Sequence, residues 1–266
     1  MKKIILNILH FLGLPFVFLS FIIGILRLKS KVKKYQQMGE SFLVVDRYKI
    51  VYKLCKKLLY IKHIKAESKG FENIPKKPVL FIANHKSQID PIILIKILFE
   101  QEGLPYFSML SKTENQSSKY VKAAMDLIDT IYVDRGNMRQ QYEAFEEEIQ
   151  TINAGRSVII FAEGTRIYHH EIAEMKPATI KVAQKSYIPI VPIVIYGSSG
   201  LMDHNKEFKN KKKIVYVEVL SIMNHHTFVN VKDQFVSELV RQQIADRYTS
   251  MHKSIQENKP VFVKDY

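Results

Sequence analysis

Residues 79–91 read VLFIANHKSQIDP, and this stretch decides both the expected fold and the expected chemistry. The apolar run at residues 79–83 is short and partly β-branched, as in a buried strand. His85 would then lie at the carboxyl end of a strand, where open α/β sheets bind their ligands. Asp90 precedes Pro91 and a further apolar run, which indicates the start of a helix.

The loop between this strand and this helix is short enough for Asp90 to accept a hydrogen bond from the His85 imidazole. Such a bond fixes the tautomer and orientation of a general base. A plainer interpretation of the same residues is also open. In it, Asp90 only caps the helix and His85 is a polar loop residue.

The rest of the chain alternates apolar, branched runs with helical patterns. Strands are expected at residues 79–83, 104–110, 130–133, 157–161, 188–196 and 214–220. Helices are expected at residues 90–101, 117–128, 137–153, 177–186 and 231–254. This alternation predicts an α/β fold with a mixed, largely parallel sheet flanked by helices. Because Pro192 cannot donate to a ladder, we expect a local break in its strand.

The charge of the chain is concentrated near its N-terminus. The net charge is +14 over 266 residues, and residues 1–65 hold 14 Lys and Arg but only 2 acidic residues. This positive charge lies beside the most apolar segment, which favours an anionic membrane surface as partner. No nucleic-acid-binding motif accompanies it, so nucleic acid is not expected as a partner.

The most apolar segment, residues 4–26, predicts a membrane-anchoring helix. It would be ~35 Å long, against ~30 Å for a bilayer core. No small-residue cleavage site follows, which favours a retained anchor over a signal peptide. The heavier basic flank follows the segment, which predicts a cytoplasmic catalytic domain at the cell membrane. Gly13 and Pro15 could kink the helix, so a helix lying at the interface is the alternative.

Residues 43–64 predict an amphipathic helix whose lysines lie opposite a broad apolar face. Arg47 and Lys62 interrupt this pattern. The helix could lie among lipid headgroups or pack on its own domain, and the sequence does not separate the two. We therefore predict a membrane-anchoring part at residues 1–65 and a catalytic domain at residues 66–266.

Three predicted strands end in polar clusters rather than in ordinary turn residues. If the strands are parallel neighbours, these clusters meet at one edge of the sheet. Arg135 and Arg166 could then form a fork for a phosphate dianion, and Gly164 would let backbone N–H groups approach it. The alternative is a structural ion pair with an adjacent carboxylate. The clusters are Asn84/His85, Asp134/Arg135 and Glu163/Gly164/Thr165/Arg166.

Together these motifs resemble the glycerolipid acyltransferase family, in particular its bacterial lysophosphatidic acid acyltransferases. The family pattern of Asn-His, four residues and Asp is matched by Asn84, His85 and Asp90. The other three patterns are matched in order by residues 131–135, 163–166 and 191–193. The chain departs from the family where Ala162 replaces a frequent proline, Ile167 a serine and Asp129 a glycine.

The resemblance implies acyl transfer from acyl-CoA or an acyl carrier protein to lysophosphatidic acid, giving phosphatidic acid. His85 would act as base and Asp90 would orient it. Acceptor binding would fall to Asn84, Arg135, Glu163, Gly164, Thr165 and Arg166, with Pro192 shaping the pocket. Glu163 is unusual beside a phosphate, and bracing an arginine or the loop backbone suits it better.

No metal or further cofactor is expected, because no Cys/His spacing resembles a metal site. The adjacent pair His169/His170 would normally diverge. Glycerol 3-phosphate, another lysophospholipid or a lyso-aminolipid are alternative acceptors. A non-catalytic membrane adaptor is the alternative from another class of protein, and the intact motifs argue against it.

Overall fold

The computed structural model describes the backbone of residues 2–167, 169, 171–202, 210 and 212–262, and the same residues' side chains except those of 2–9 and 40. His170 therefore lies outside the described residues. The helices are α1 Lys2–Met38, α2 Val44–Ile61, α3 Ile89–Phe99, α4 Lys119–Asp126, α5 Met138–Asn153, α6 Ala178–Ser186 and α7 Asp233–Gln256. The strands are β1 Lys65–Lys69, β2 Leu80–Ala83, β3 Phe107–Lys112, β4 Ile131–Val133, β5 Ser157–Phe161, β6 Ile190–Tyr196 and β7 Ile214–Val219.

The strands form one sheet in the order β1-β7-β6-β2-β5-β3-β4. β6 and β7 pair antiparallel, and the other neighbouring strands pair parallel. The predicted mixed, largely parallel sheet is thus confirmed. β2 lies at its centre, between β6 and β5, so its carboxyl end opens onto the middle of the sheet edge.

Helices cover both faces of the sheet, which explains why β2 is apolar without alternation. Phe81 and Ala83 join the core that contains α2, α3 and α4. Leu80 and Ile82 join the core that contains α5, α6 and α7. Successive side chains of a strand point to opposite faces, so each face of β2 is buried separately.

Pro192 does not end its strand, but the expected local break is present on one side of it, where Ile190 forms only an isolated bridge with Met223 and the ladder with β7 begins at Ile193. The proline lies inside β6, opposite Ile82 of β2. Its carbonyl oxygen accepts a hydrogen bond from Leu220 N at 2.9 Å, on the side facing β7. The proline nitrogen faces the same side, because the N–H and C=O of one strand residue point the same way. Regular pairing with β7 starts only at Ile193, so the missing donor leaves the β2–β6 ladder intact.

The N-terminal helices pack against each other and onto the helices that cover the sheet. α1 continues through Pro15 as one helix. A Cβ on Gly24 would lie 2.7 Å from Leu54 Cδ2, so the glycine permits close contact between α1 and α2. Leu28 of α1 is fully buried in the same core as α2 and α3. For α2, the structure therefore shows the second interpretation, a helix packed on its own domain.

Arg47, which interrupts the amphipathic pattern of α2, is buried in an ionic network. Its Nη1 donates to Asp129 Oδ1 at 2.8 Å. Asp129 also accepts from Tyr35 of α1 at 2.8 Å and from Arg156 at 2.5 Å. The Asp129 backbone has φ +50°, a left-handed conformation that aspartate tolerates better than most residues. Asp129 thus ties both N-terminal helices to the turn that precedes β4.

Candidate active site

His85 and Asp90 face each other across the loop that joins β2 to α3. His85 Nδ1 lies 2.9 Å from Asp90 Oδ2, and the aspartate side chain has no exposed surface. The same oxygen accepts hydrogen bonds from the backbone N–H groups of Lys86 at 2.7 Å and Ser87 at 2.8 Å. α3 begins at Ile89, so Asp90 lies in its first turn and points back into the loop rather than capping the helix. The loop backbone thereby fixes the carboxylate, and the carboxylate fixes the imidazole.

The imidazole is also held from its face and from its backbone. The ring of Phe161, the last residue of β5, stacks on it with centroids 4.3 Å apart. His85 N donates to Glu163 Oε1 at 2.7 Å, and His85 O accepts from Ile167 N at 2.9 Å. The His85 side chain retains 19% exposure. Since Nδ1 is bonded to Asp90, Nε2 on the other side of the ring is the nitrogen left for a reactant.

Glu163 braces the loop that follows β5, as the alternative interpretation of this residue predicted. Its side chain is fully buried, and its Oε2 accepts from Ala173 N at 3.0 Å. Burial raises the pKa of Glu163, while the ammonium of Lys86 and the two backbone N–H donors oppose that rise. Both carboxylate oxygens are thus engaged inside the protein, which favours the bracing interpretation, and direct substrate binding by Glu163 stays a prediction.

Lys86 is a site residue that the sequence analysis missed. Its side chain is 1% exposed, and its Nζ lies 3.9 Å from Glu163 Oε2. Nζ donates to the backbone oxygens of His169 and Glu171. Burial lowers the pKa of Lys86, and the charges of Glu163 and Asp90 oppose the change. A lysine that follows His85 directly thus ties down the loop carrying the Glu-Gly-Thr-Arg motif.

A cationic cluster lies against Gly164, in the loop that is hydrogen-bonded to the His85 backbone. Gly164 has φ +74°, and a Cβ there would be 2.6 Å from Arg135 Nη1 and 3.1 Å from Lys176 Cε. Burial lowers the pKa of the Arg135 guanidinium. Loss of hydration lowers the pKa of Lys176, and the positive charges of Arg135 and Lys112 lower it further. Because each positive charge makes the protonated form of its neighbour less favourable, a bound anion would stabilise these cations.

The predicted alternative for Arg135, an ion pair with Asp134, does not form. Asp134 Oδ1 instead accepts from Gly136 N at 2.8 Å. Within the described part of the chain, no carboxylate lies within ion-pair distance of Arg135. Thr165 is exposed and Arg166 is half-buried in the loop bonded to His85. The fork of Arg135 with Arg166 stays a prediction, whereas Lys112 and Lys176 join the cluster without having been predicted.

The Asn84 side chain bonds to the neighbouring strand β6, and its predicted role in substrate binding stays a prediction. The side chain is fully buried. Its Nδ2 donates to Ile195 O at 2.9 Å, and its Oδ1 accepts from Ile195 N at 2.8 Å. The amide thus continues the pairing of β2 with β6 by one residue and sets where His85 leaves the sheet. Pro192 is buried further down β6, so its pocket-shaping role stays a prediction.

Comparisons with known proteins agree with this geometry. Residues 65–196 match a family model described as Acyltransferase. A Mycoplasma genitalium protein named probable 1-acyl-sn-glycerol-3-phosphate acyltransferase is 37% identical over 254 residues, which cover 93% of this chain and 94% of that protein. A Mycoplasma pneumoniae protein of the same name is 34% identical over 252 residues, which cover 91% and 93%.

A solved structure shares the fold. The crystal structure of the 1-acyl-sn-glycerophosphate (LPA) acyltransferase PlsC from Thermotoga maritima aligns with a TM-score of 0.60 at 18% identity. The alignment covers 89% of this chain and 98% of that chain. The α/β fold is therefore common to both.

Proposed function

Because the chain belongs to the acyltransferase family, we propose that it transfers a fatty acyl group from an acyl thioester to the free sn-2 hydroxyl of 1-acyl-sn-glycerol 3-phosphate. The product is phosphatidic acid, a precursor in phospholipid biosynthesis. The observation that carries this proposal is the His85–Asp90 pair, bonded at 2.9 Å, whose loop is hydrogen-bonded to the loop of Gly164, where the cationic cluster lies. The names of the two Mycoplasma relatives support lysophosphatidic acid as the acceptor.

His85 acts as the general base through Nε2. It removes the proton of the acceptor hydroxyl while that oxygen attacks the thioester carbonyl. The C–S bond of the tetrahedral intermediate then breaks, and His85 returns the proton to the departing sulfur. Asp90 holds the tautomer with Nε2 free and stabilises the imidazolium that forms in between. The step needs no acyl-enzyme, metal or further cofactor.

The cationic cluster binds the phosphate of the acceptor. Arg135 offers a planar fork suited to two phosphate oxygens, and Lys112 and Lys176 supply point charges. Gly164 leaves the space that a side chain would fill. Because the Gly164 loop is also bonded to His85 through Ile167, phosphate binding sets the distance from the acceptor hydroxyl to Nε2.

The N-terminal helices hold this site at the membrane surface. In the described chain, residues 10–38 of α1 form a helix apolar enough to span, and its most apolar 18-residue window has a mean hydropathy of 2.2 and is 6% buried. Lys57 of α2, however, donates to Ser20 Oγ at 2.6 Å, beside the middle of the apolar stretch. A spanning α1 would draw this ammonium into the bilayer core, which is costly. We therefore favour an α1 that lies in the interface, on the cytoplasmic face of the cell membrane.

The acceptor test uses the purified full chain in a neutral detergent with acyl-CoA or acyl carrier protein thioesters. Acceptors are lysophosphatidic acid, glycerol 3-phosphate, lysophosphatidylcholine and a lyso-aminolipid, and the products are separated by lipid chromatography. We expect fast transfer to lysophosphatidic acid, since the cluster suits a phosphomonoester dianion on a membrane lipid. Faster transfer to any other acceptor, or none with either donor, would refute the proposal.

A further inference from the structure

A basic groove opens between the end of α1 and the start of α2, and none of its lining residues belongs to the candidate active site. Its volume is about 380 Å³. Two of its lysines come from α1 and two from α2, and its floor is formed by two apolar side chains. The groove is lined by Lys31, Lys34, Phe42, Asp46, Lys49, Ile50 and Lys53.

The four lysines of this groove lie near one another, and carboxylates do not balance their positive charge. Lys31 and Lys34 are three residues apart on α1, and Lys49 and Lys53 are four apart on α2, so each pair shares a helix face. Asp46 is the one acidic residue of the lining, which leaves a net charge of +3. In the described part of the chain, none of these lysines has a carboxylate oxygen within ion-pair distance. Like charges this close repel one another, so an anion in the groove would be stabilised.

The groove also lies beside the surface suited to acyl chains. Exposed apolar side chains of α1 continue as far as Leu26. Lys31 and Lys34 follow it by about 7.5 and 12 Å along the helix axis. The floor residue Phe42 is 7% exposed, and Lys34 Nζ lies 5.0 Å from the centre of its ring. Charge above an apolar floor, next to a membrane-facing surface, matches a headgroup joined to acyl chains better than a free anion.

We propose that this groove binds the headgroup of an anionic glycerophospholipid, as a second lipid site distinct from the acceptor site. The phosphodiester lies among the four lysines, and the glycerol and upper acyl carbons contact Phe42 and Ile50. Such a site would fix how the protein is rotated on the membrane. It would also make attachment selective for membranes rich in anionic lipid.

The test uses a single tryptophan as reporter, because the chain contains none. Leu43 is 60% exposed and adjoins Phe42, so Leu43→Trp places the fluorophore at the rim of the groove. The full chain is titrated in neutral detergent micelles with phosphatidylglycerol or phosphatidylcholine carrying brominated acyl chains. Quenching then reports a lipid at the groove without any acyl donor, so the result does not depend on the proposed reaction.

Two variants that lose the same charge distinguish a specific lipid site from diffuse electrostatic attraction to anionic lipid. One removes the groove lysines (K31Q/K34Q/K49Q/K53Q). The other removes four exposed lysines outside the groove lining, three within the same helices and Lys62 directly after α2 (K29Q/K33Q/K56Q/K62Q). Circular dichroism and thermal unfolding check that both fold. If the groove variant does not, the two-lysine variants K31Q/K34Q and K49Q/K53Q replace it.

We expect phosphatidylglycerol to quench at about tenfold lower concentration than phosphatidylcholine. The groove variant should lose this preference, and the control variant should keep it within about twofold. Equal loss in both variants, or no preference in the parent, would overturn the proposal. Displacement of phosphatidylglycerol by excess inorganic phosphate at constant ionic strength would also overturn it, by assigning the groove to a free anion.

Discussion

Replacing Asp90 with asparagine removes the charge behind the imidazole while keeping the loop geometry. Asp90 Oδ2 accepts hydrogen bonds from His85 Nδ1, Lys86 N and Ser87 N. In Asp90→Asn the amide oxygen takes the position of Oδ2. The opposite orientation is unfavourable, because it would place the amide NH2 against the two backbone N–H donors. The imidazole therefore stays oriented, and what is lost is the attraction between the carboxylate and the imidazolium formed during acyl transfer.

The size of this loss follows from the geometry of the pair. The bonded atoms are 2.9 Å apart, which places the charge centres about 4 Å apart. At an effective dielectric constant of about 20 their attraction is about 4 kcal/mol. We therefore expect kcat to fall about a thousandfold, with a much smaller change in the KM for lysophosphatidic acid.

The assay follows release of the CoA thiol from acyl-CoA with a chromogenic thiol reagent. Burial raises the pKa of the chain's single cysteine, Cys55, to about 12, so its thiol does not compete. Asp126→Asn, which breaks a surface pair with Lys122 on α4, is the matched control and should stay within about twofold of the parent. A folded Asp90→Asn that keeps more than a tenth of kcat would refute the assigned role.

Three further changes test the groups around this pair. Arg135→Gln should raise the KM for lysophosphatidic acid about tenfold or more, with little effect on the KM for the thioester. Lys181→Gln, a surface control, should change neither KM. A change in the thioester KM alone would contradict the phosphate site. Lys86→Met leaves the buried Glu163 carboxylate without its cationic partner, so the free energy of unfolding in denaturant titrations should fall by about 3 kcal/mol. Adding Glu163→Gln should restore part of this loss. An unchanged free energy of unfolding in Lys86→Met would contradict the buried pair. Burial raises the pKa of Glu148 from 4.5 to about 8, so its contribution to folding stability is fully present below pH 4.5 and is lost as pH rises through 8. Glu148→Gln should therefore raise the free energy of unfolding by up to about 3 kcal/mol at pH 7 and leave it unchanged at pH 4. An increase in the free energy of unfolding that does not depend on pH would disprove this origin.

Local patterns predicted the fold wherever one segment determines its own structure. α5 is an example, because Asn137 caps it by accepting from Arg139 N and Gln140 N, and Gly155 ends it with φ +82°. β1 was not predicted, since its sequence KAESK has no apolar pattern. That strand forms because its backbone pairs with β7, about 150 residues further along the chain. Such pairing leaves no trace in the side chains of an edge strand.

The same distinction holds in the active site. The contact between His85 and Asp90 was predictable because five residues of loop bring them together. The burial of Lys86 was not, since it depends on a loop that returns some 80 residues later to supply the oxygens of His169 and Glu171. The side-chain partner of Asn84, the backbone of Ile195, was not predictable either, since only the motif position of Asn84 was visible in the sequence.

The proposal that His85 is the general base is tested most directly by single-turnover acyl transfer with His85→Gln. Glutamine keeps a polar side chain in the loop but cannot take up the hydroxyl proton. With the unfolding temperature unchanged, we expect the rate of transfer to lysophosphatidic acid to fall at least about a thousandfold. A folded His85→Gln protein that transfers the acyl group within tenfold of the parent rate would contradict the proposed mechanism.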